Sequence, residues 1–515
     1  MPRTRNVLFI IVDQWRGDCL GLLGNRAALT PNLDALARDG VLFRRHYGQS
    51  APCGPARACM LSGQYVMNNR AVANGIPWDS RLPNLAIELR RAGIDPALIG
   101  YTTTTPDATK TPAHDPRFRE IGDIMEGFRT FAHFDEVEFR NYFGWAAGRG
   151  LQLPAGDPCS LWEPAEGPPG PSAAPCRIPA SLSDTAWSGE NALDFLRTTR
   201  PNQPWLLHLG FFRPHPPFVA YAPYHTAVPE AAIAPPLRAS TLEAEAAQHP
   251  MLAHWLATQD CGSYFQGAEG RVATLNDDGI RRTRRAYFGL IAEIDDWIGH
   301  VLEALRGSGQ YDDTLIIFTS DHGEQLGDHR LLGKLGWFDQ SFHLPLIVRD
   351  PSRGAARGRV VQAFTEAVDL MPTILDWLEL DIPAACDGVS LLPWLRGATP
   401  PLWRDAAHFE FDLRGGWPDP SRMGGTIPDE AGPMVAMRTE SWKYVHFTGL
   451  PPVLYDLAAD PGEMRNVAAK PEYRDLLAEA AQRMLSWRIA HADIAMTRQC
   501  ATPAGLVQRM TPARR

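Results

Sequence analysis

The chain has no long apolar run. Its first candidate, Val7 to Val12, stops at Asp13, whereas a bilayer-spanning helix needs about 20 apolar residues. No small-residue cleavage site follows the run, so it does not read as a secretion signal. The expectation is a cytoplasmic protein with no membrane partner. Cysteine is sparse, 8 among 515 residues at irregular positions, which excludes a disulfide-framed secreted module and fits a reducing compartment. Cys159 and Cys176 flank a Pro/Gly-rich loop, and both are expected to be free thiols. Basic residues are the minority, 50 Lys and Arg against 59 Asp and Glu for a net charge of −9, so no basic patch points to nucleic acid. An acidic average leaves an anionic substrate open, because the charge inside a cleft decides that. The chain shows no internal repeat.

What is present is an alternation of strand-like and helix-like segments, as in α/β proteins. Residues 6–12 and 314–319 are continuously apolar, as expected for strands buried on both faces. Residues 41–43, 97–100, 205–210 and 344–348 supply further strands. Helices are expected over 31–39 (Thr30 as N-cap, Gly40 as stop), 57–62 (closed by Gly63), 83–92, 187–197, 281–305 and 369–378. After about residue 400 alternating patterns such as Trp442-Lys443-Tyr444-Val445-His446-Phe447 indicate a small antiparallel sheet, and residues 472–491 a closing helix. The expected organisation is a catalytic α/β domain over 1–400 with insertions near 107–183 and 220–275, a C-terminal subdomain over 401–495, and a tail over 496–515. The tail would serve as an arm in a homo-oligomer, a dimer or tetramer.

The stretch Pro52-Cys53-Gly54-Pro55-Ala56-Arg57 places a cysteine just ahead of the expected helix start, because proline is favoured at the first helical position. The positive end of the helix dipole there favours an anion or a thiolate. Two of the strands end in pairs of metal-type residues, Asp13-Gln14 and Asp321-His322. Neighbouring side chains on a strand point to opposite faces, so both members of a pair can reach one ion only where the strand has stopped. Oxygen donors suit Ca, Mg or Mn, and an imidazole moves the preference toward Mn, Fe or Zn. His215 lies in the Pro-rich turn Arg213-Pro214-His215-Pro216-Pro217 after another strand, and Lys334 sits between glycines in an apolar segment. His329 and His343 are assigned structural roles.

In this order, Asp13, Cys53-Gly54-Pro55-Ala56-Arg57, His215, Asp321-His322-Gly323 and Lys334 resemble the sulfatase branch of the alkaline phosphatase superfamily. Cys53-x-Pro55-x-Arg57 is similar to the formylglycine signature of that branch, and Val453 to Val467 to its C-terminal hallmark. Within it the chain is most similar to bacterial phosphonate monoester hydrolases, which also cleave phosphodiesters and sulfate monoesters. The shared features include Val12-Asp13-Gln14-Trp15-Arg16, Ile99-Gly100-Tyr101-Thr102-Thr103 and Asp321 to His329. The implied fold is alkaline-phosphatase-like: a large mixed β-sheet flanked by helices, plus a smaller C-terminal antiparallel sheet with a closing helix.

By this resemblance Cys53 is oxidised to formylglycine (3-oxoalanine) by a formylglycine-generating enzyme. Its hydrate attacks a small anionic ester and carries the covalent intermediate. Asp13, Gln14, position 53, Asp321 and His322 hold one divalent metal ion. Arg57 orients the hydrate or offsets its charge, while His215 and Lys334 stabilise or protonate the leaving oxygen. Asn74, Tyr101 and Thr103 donate hydrogen bonds to substrate oxygens. Typical sulfatases carry an Asp where Gln14 stands and often an Asn where His322 stands. One carboxylate fewer and one nitrogen more favour Mn over Ca. They also carry Ser at Ala56, outside the minimal Cys-x-Pro-x-Arg core. The rival readings are a two-metal phosphodiesterase of the same superfamily and a non-catalytic anion-binding homologue.

Overall fold

The computed structural model describes residues 5–119, 124–136, 138–200, 203–412, 432–492, 499–503 and 505–508. Strands β1 (Asn6–Val12), β2 (Val41–Tyr47), β3 (Asp95–Gly100), β4 (Arg129–His133), β5 (Trp205–Phe211), β6 (Thr314–Ser320), β7 (His343–Leu344), β8 (Leu346–Arg349) and β9 (Arg359–Glu366) form one nine-stranded mixed sheet. Their order is β4-β3-β5-β1-β6-β8-β2-β7, with β9 beside β2. β1 lies at the middle, parallel to both β5 and β6. Its residues are all buried because the sheet is covered on both faces. Leu8, Ile10 and Val12 enter one core, and Val7, Phe9 and Ile11 the other. That division is the two-residue alternation of a strand, and it accounts for the unbroken apolar run. Each fully buried Ile, Leu or Phe contributes about 1.5–3 kcal/mol.

The helix Asp277–Gly307 covers the first face, with Asn276 accepting from Gly279 N–H as its N-cap. The helix Cys53–Ser62, buried along its whole length, lies on the second face. It begins at Cys53, not after Pro55 as expected. Pro55 is its third residue, a position whose missing N–H has no intrahelical acceptor in any case. Gly63 closes it at φ +67, a conformation that suits glycine.

Other expectations shift for identifiable reasons. Thr30 does not cap the helix Pro31–Arg38; its hydroxyl donates to Asp34 and accepts from Gly21 N–H. The buried carboxylate of Asp295 caps it instead, accepting from Asn32 N–H and Leu33 N–H at 2.9 Å each. The expected strand at 344–348 is broken into β7 and β8 by Pro345, which has no N–H for the ladder. The stretch read as a loop-rich insertion at 107–183 contains β4, the sheet's edge strand. It also supplies Phe134, Phe139 and Trp162, which pack on Phe212, with Phe134 also against Trp187 and Tyr142 stacked on Trp162.

Beyond this sheet, β10 (Ala406–Asp412), β11 (Pro433–Thr439), β12 (Trp442–Phe447) and β13 (Val453–Asp456) make a four-stranded antiparallel sheet. The helix Arg474–His491 closes it, packing Ala480, Met484 and Trp487 against Trp442, Tyr444 and Leu454. Of the expected tail, Gln499–Thr502 pairs antiparallel with Gly505–Gln508; apart from Pro503 between them, the rest lies outside the described residues. Among the described residues no helix is long and apolar enough to cross a membrane, and Cys159 and Cys176 are free thiols.

Candidate active site

The site is built at one end of the central strands. β1 and β6 run parallel with Val12 opposite Ser320, so Asp13 and Asp321 leave neighbouring strands side by side. Gln14 adopts φ +70, which turns the chain away from the strand while its N–H donates to Asp321 Oδ1 at 3.1 Å. Ser320 ties the two ends together, accepting from Trp15 N–H at 2.8 Å and donating to Val12 C=O at 2.7 Å.

The helix Cys53–Ser62 delivers Cys53 and Arg57 to the same place. Cys53 Sγ lies 3.3 Å from His322 Nε2, 3.9 Å from Asp13 Oδ1 and 3.1 Å from Lys334 Nζ. His322 Nε2 is 3.6 Å from Asp13 Oδ1 and 3.7 Å from Asp321 Oδ1. The donor atoms of Asp13, Cys53, Asp321 and His322 all lie within 4.8 Å of one another, and all four residues are buried. The other nitrogen of His322, Nδ1, meets the Gly323 carbonyl at 3.1 Å. A carbonyl only accepts, so Nδ1 carries the proton and Nε2 turns its lone pair to the cluster. Burial, reinforced by the Lys334 charge against the pull of Asp321, holds this imidazole neutral with its pKa lowered to about 3. Two carboxylates, a lone-pair nitrogen and the side chain at position 53 converge as a divalent cation requires, so the residues fit the metal that the resemblance implies.

Arg57 is fully buried and bonded on every side. Nε donates to Asp321 Oδ2 at 2.9 Å, Nη2 to Asp13 Oδ2 at 3.2 Å, and Nη1 to the Tyr101 carbonyl at 3.1 Å. Burial opposes its charge, but Asp321, Tyr101 and Asp13 outweigh that and raise its pKa. It was expected to orient the hydrated aldehyde or offset its charge; its donors hold the two carboxylates, and its charge is felt at position 53. Tyr101 behaves likewise. Its hydroxyl, expected to face substrate, donates to Asp13 Oδ2 at 2.6 Å.

Lys334 Nζ also approaches Gln14 Oε1 at 3.5 Å. Burial disfavours the ammonium, yet Cys53, Asp13 and Asp321 raise its pKa on balance. The Cys53 thiol is pushed up by burial and by Asp13, against the pull of Lys334. His215 directs Nδ1 at the Pro216 carbonyl at 2.9 Å, and burial with the nearby Lys334 charge drives its pKa well down. Its turn is held by the buried pair Arg213–Asp184 at 2.8 Å, and Arg213 also donates to the carbonyls of His215 and Pro217. Asn74 Oδ1 accepts from Gly54 N–H at 2.8 Å, which leaves its amide N–H groups to donate. Thr103, at φ +56, gives its hydroxyl proton to Glu136 Oε2 at 2.8 Å.

Two carboxyl groups escaped the sequence reading. Glu324 accepts from the Gln14 side chain, from Leu326 N–H at 2.9 Å and from Gly333 N–H at 2.7 Å. It therefore aims Gln14 Oε1 toward the cluster and anchors the turn that carries Lys334. Burial raises its pKa to about 7 against those hydrogen bonds. The signal available was its place in Asp321-His322-Gly323-Glu324, three residues past a ligand-type strand end. Glu136 had no local signal. His329 and His343 are structural, as assigned: His329 pairs with Glu245 at 3.1 Å, and His343 bonds the Arg44 carbonyl at 2.7 Å.

A central mixed sheet with helices on both faces, ending in a cluster of carboxylates, imidazole and a helix-borne cysteine, defines an ester hydrolase of the alkaline phosphatase superfamily. Within that class the chain belongs to the sulfatase family: the model described as Sulfatase matches residues 5–380, and that described as N-sulphoglucosamine sulphohydrolase, C-terminal, matches residues 327–490. It is similar to the multifunctional alkaline phosphatase superfamily protein PehA of Trinickia caryophylli, 48% identical over 98% of this chain and 99% of that protein. It is also similar to the crystal structure of phosphonate monoester hydrolase of Agrobacterium radiobacter, with TM-score 0.92 and 40% identity over 98% of this chain and 100% of the other. The phosphonate monoester hydrolase of Silicibacter pomeroyi superposes with TM-score 0.89 and 38% identity, over 98% and 99% of the two chains. The protein is thus a sulfuric or phosphoric ester hydrolase.

Proposed function

We propose that the protein cleaves sulfate monoesters, phosphonate monoesters and phosphodiesters through a covalent ester at position 53, after Cys53 has been oxidised to formylglycine. The observation that carries this reading is the convergence on Cys53 Sγ of His322 Nε2 at 3.3 Å and Lys334 Nζ at 3.1 Å, with Asp13 beside them. The sulfur marks where a hydroxyl of the hydrated aldehyde would stand. A nucleophile, a ligand set and a proton donor meet at one atom.

A divalent cation would be held by Asp13, Gln14, Asp321, His322 and position 53. When bound it supplies positive charge that lowers the pKa of an adjacent hydroxyl and offsets charge on the substrate. Gln14 and His322 in place of a further carboxylate and an amide support Mn over Ca. Arg57 and Tyr101 hold Asp13 and Asp321 in the orientation that the cation needs. Lys334 keeps its proton at Nζ and is the donor to the leaving oxygen. His215, expected to stabilise or protonate the leaving oxygen, is held neutral with its proton at Nδ1, so its Nε2 would accept a hydrogen bond and leave the protonation to Lys334. Asn74 N–H groups donate to a non-bridging oxygen of the substrate.

A two-metal phosphodiesterase would need a second set of donors; among the described residues the group of His, Cys, Asp and Glu close enough for an ion is the one at position 53. The substrate range is tested by comparing kcat/KM for an aryl sulfate, an aryl phosphonate monoester and an aryl phosphodiester on Mn-replete, aldehyde-bearing protein. Turnover of all three is expected. Turnover of none, with aldehyde confirmed, contradicts the reading.

A further inference from the structure

Glu136 follows the edge strand β4 and comes off the same end of the sheet as Asp13, Tyr101 and Asp321. Its Oε2 accepts the Thr103 hydroxyl at 2.8 Å. Thr103 in turn abuts the nucleophile's neighbour: a Cβ built on Gly54 would meet the Thr103 carbonyl at 2.8 Å and Asn74 Oδ1 at 3.1 Å. Thr103 therefore links the carboxyl group, through its hydroxyl, to the backbone beside position 53, through its carbonyl. The charges that act on it are Arg57, Asp13 and Lys334, and it acts in return on Cys53 and Tyr101. Among the described residues it makes no bond to the ligand cluster, and its bond to Thr103 does not need a carboxylate.

The fixed charges of the site leave little to hold a strongly anionic substrate. Arg57 is consumed by Asp13 and Asp321. Lys334 remains, shared with position 53. A divalent cation would add charge at the ligand cluster of Asp13, Cys53, Asp321 and His322. A substrate oxygen that turns toward Thr103 must share its hydroxyl proton with a second acid group. When Glu136 is protonated it can donate one hydrogen bond to that oxygen; when ionised it repels a further negative charge.

We propose that Glu136 is a specificity-determining residue that selects by charge, favouring esters whose transferred group bears one negative charge over those bearing two. This rests on the ester-hydrolase reading above and narrows it to singly charged sulfates, phosphonate monoesters and phosphodiesters over phosphate monoesters. Burial raises the Glu136 carboxyl to about 8, with Asp13 adding to the rise and Arg57, Thr103 and Lys334 opposing it. Discrimination therefore grows as pH rises and the group ionises.

The test uses Glu136→Gln, which keeps an acceptor for Thr103 but cannot ionise, with Glu136→Asp as the charge-retaining control. At pH 9 the ratio of kcat/KM for an aryl phosphate monoester to that for an aryl methyl phosphodiester should rise about tenfold or more in Glu136→Gln, the effect of removing one nearby like charge. The ratio should stay near wild type in Glu136→Asp. Binding of inorganic sulfate, doubly charged throughout, should weaken from pH 7 to pH 9 more steeply in wild type than in Glu136→Gln. An unchanged ratio together with parallel sulfate profiles overturns the proposal. Sulfate binding, followed by calorimetry, reads Glu136 even if neither ester turns over; that second result would strike the ester-hydrolase reading and not the charge selection.

Discussion

Cys53 Sγ and Lys334 Nζ lie 3.1 Å apart although 281 residues separate them in the chain. The contact does not make the cysteine a thiolate. Burial is the largest influence on the thiol and raises its pKa well above the ordinary value, Asp13 adds to the rise, and Lys334 only partly offsets them. An unmodified Cys53 is thus a poor nucleophile in its own site. The same place suits an aldehyde hydrate, whose oxygen would find Lys334 on one side and His322 on the other.

Lys334 should matter in proportion to the basicity of the leaving group. Lys334→Met is expected to lower kcat about 10²–10³-fold for an alkyl ester, whose leaving oxygen must be protonated, and far less for a 4-nitrophenyl ester. Steady-state rates over a series of leaving groups check this. Equal losses across the series would assign Lys334 to binding alone.

Metal removal should cost activity and stability together. Chelation removes the charge that offsets Asp13 and Asp321, and a ligand held a hundredfold above its Kd contributes about 2.7 kcal/mol to folding. Single-metal add-back is expected to restore both turnover and melting temperature best with Mn. Full recovery with Ca alone would show that Gln14 and His322 do not set the preference.

Arg57 should act on the fold as much as on the reaction. Arg57→Met leaves two buried carboxylates without their cation, a change that typically costs about 3–5 kcal/mol. The loss, read from urea unfolding, should be larger in chelator than in Mn, because the metal would bind the same carboxylates. A loss that does not depend on metal would mean that Asp13 and Asp321 are not shared between the two.

Acid should destabilise the protein through its buried imidazoles. Burial, with the Arg57 charge adding to it, holds His208 at about 3, and burial, with His343 adding, holds His46 at about 3. In the unfolded chain both titrate near about 6.5. The unfolded state therefore gains protons first, so their contribution is intact above about pH 6.5 and is lost as pH falls toward 3, by about 1.4 kcal/mol per pH unit for each group. Unfolding free energies at pH 7, 6 and 5 should decline accordingly, and His208→Phe should make the decline shallower. An unaltered slope in that variant would remove His208 from the explanation.

The central strands and their ends were legible because burial on both faces writes itself as an unbroken apolar run. Asp13 and Asp321 stand where two such runs stop, and β1 and β6 are parallel and in register, so two sites far apart in sequence became one. Cys53, Gln14, His322 and Lys334 could be listed in order from the resemblance, and the structure brings them to one point. What could not be read was how each side chain spends its hydrogen bonds. Arg57 and Tyr101 turn to Asp13, not outward, and that depends on packing among four elements. Glu136 belongs to a stretch without periodicity, and its partner Thr103 lies 33 residues away; only the pairing of β3 with β4 brings them together. The start of the helix at Cys53 was misplaced because Pro55 is tolerated throughout the first turn, so the residue type does not mark a unique position.

The most direct measurement is the mass of the Cys53 peptide set against turnover, on protein made with and without a formylglycine-generating enzyme. The expected peptide has exchanged sulfur and two hydrogens for one oxygen, and kcat rises in proportion to the fraction so changed, while Cys53→Ala folds normally and is inactive. Full activity from protein whose Cys53 remains entirely a thiol would contradict the proposed chemistry.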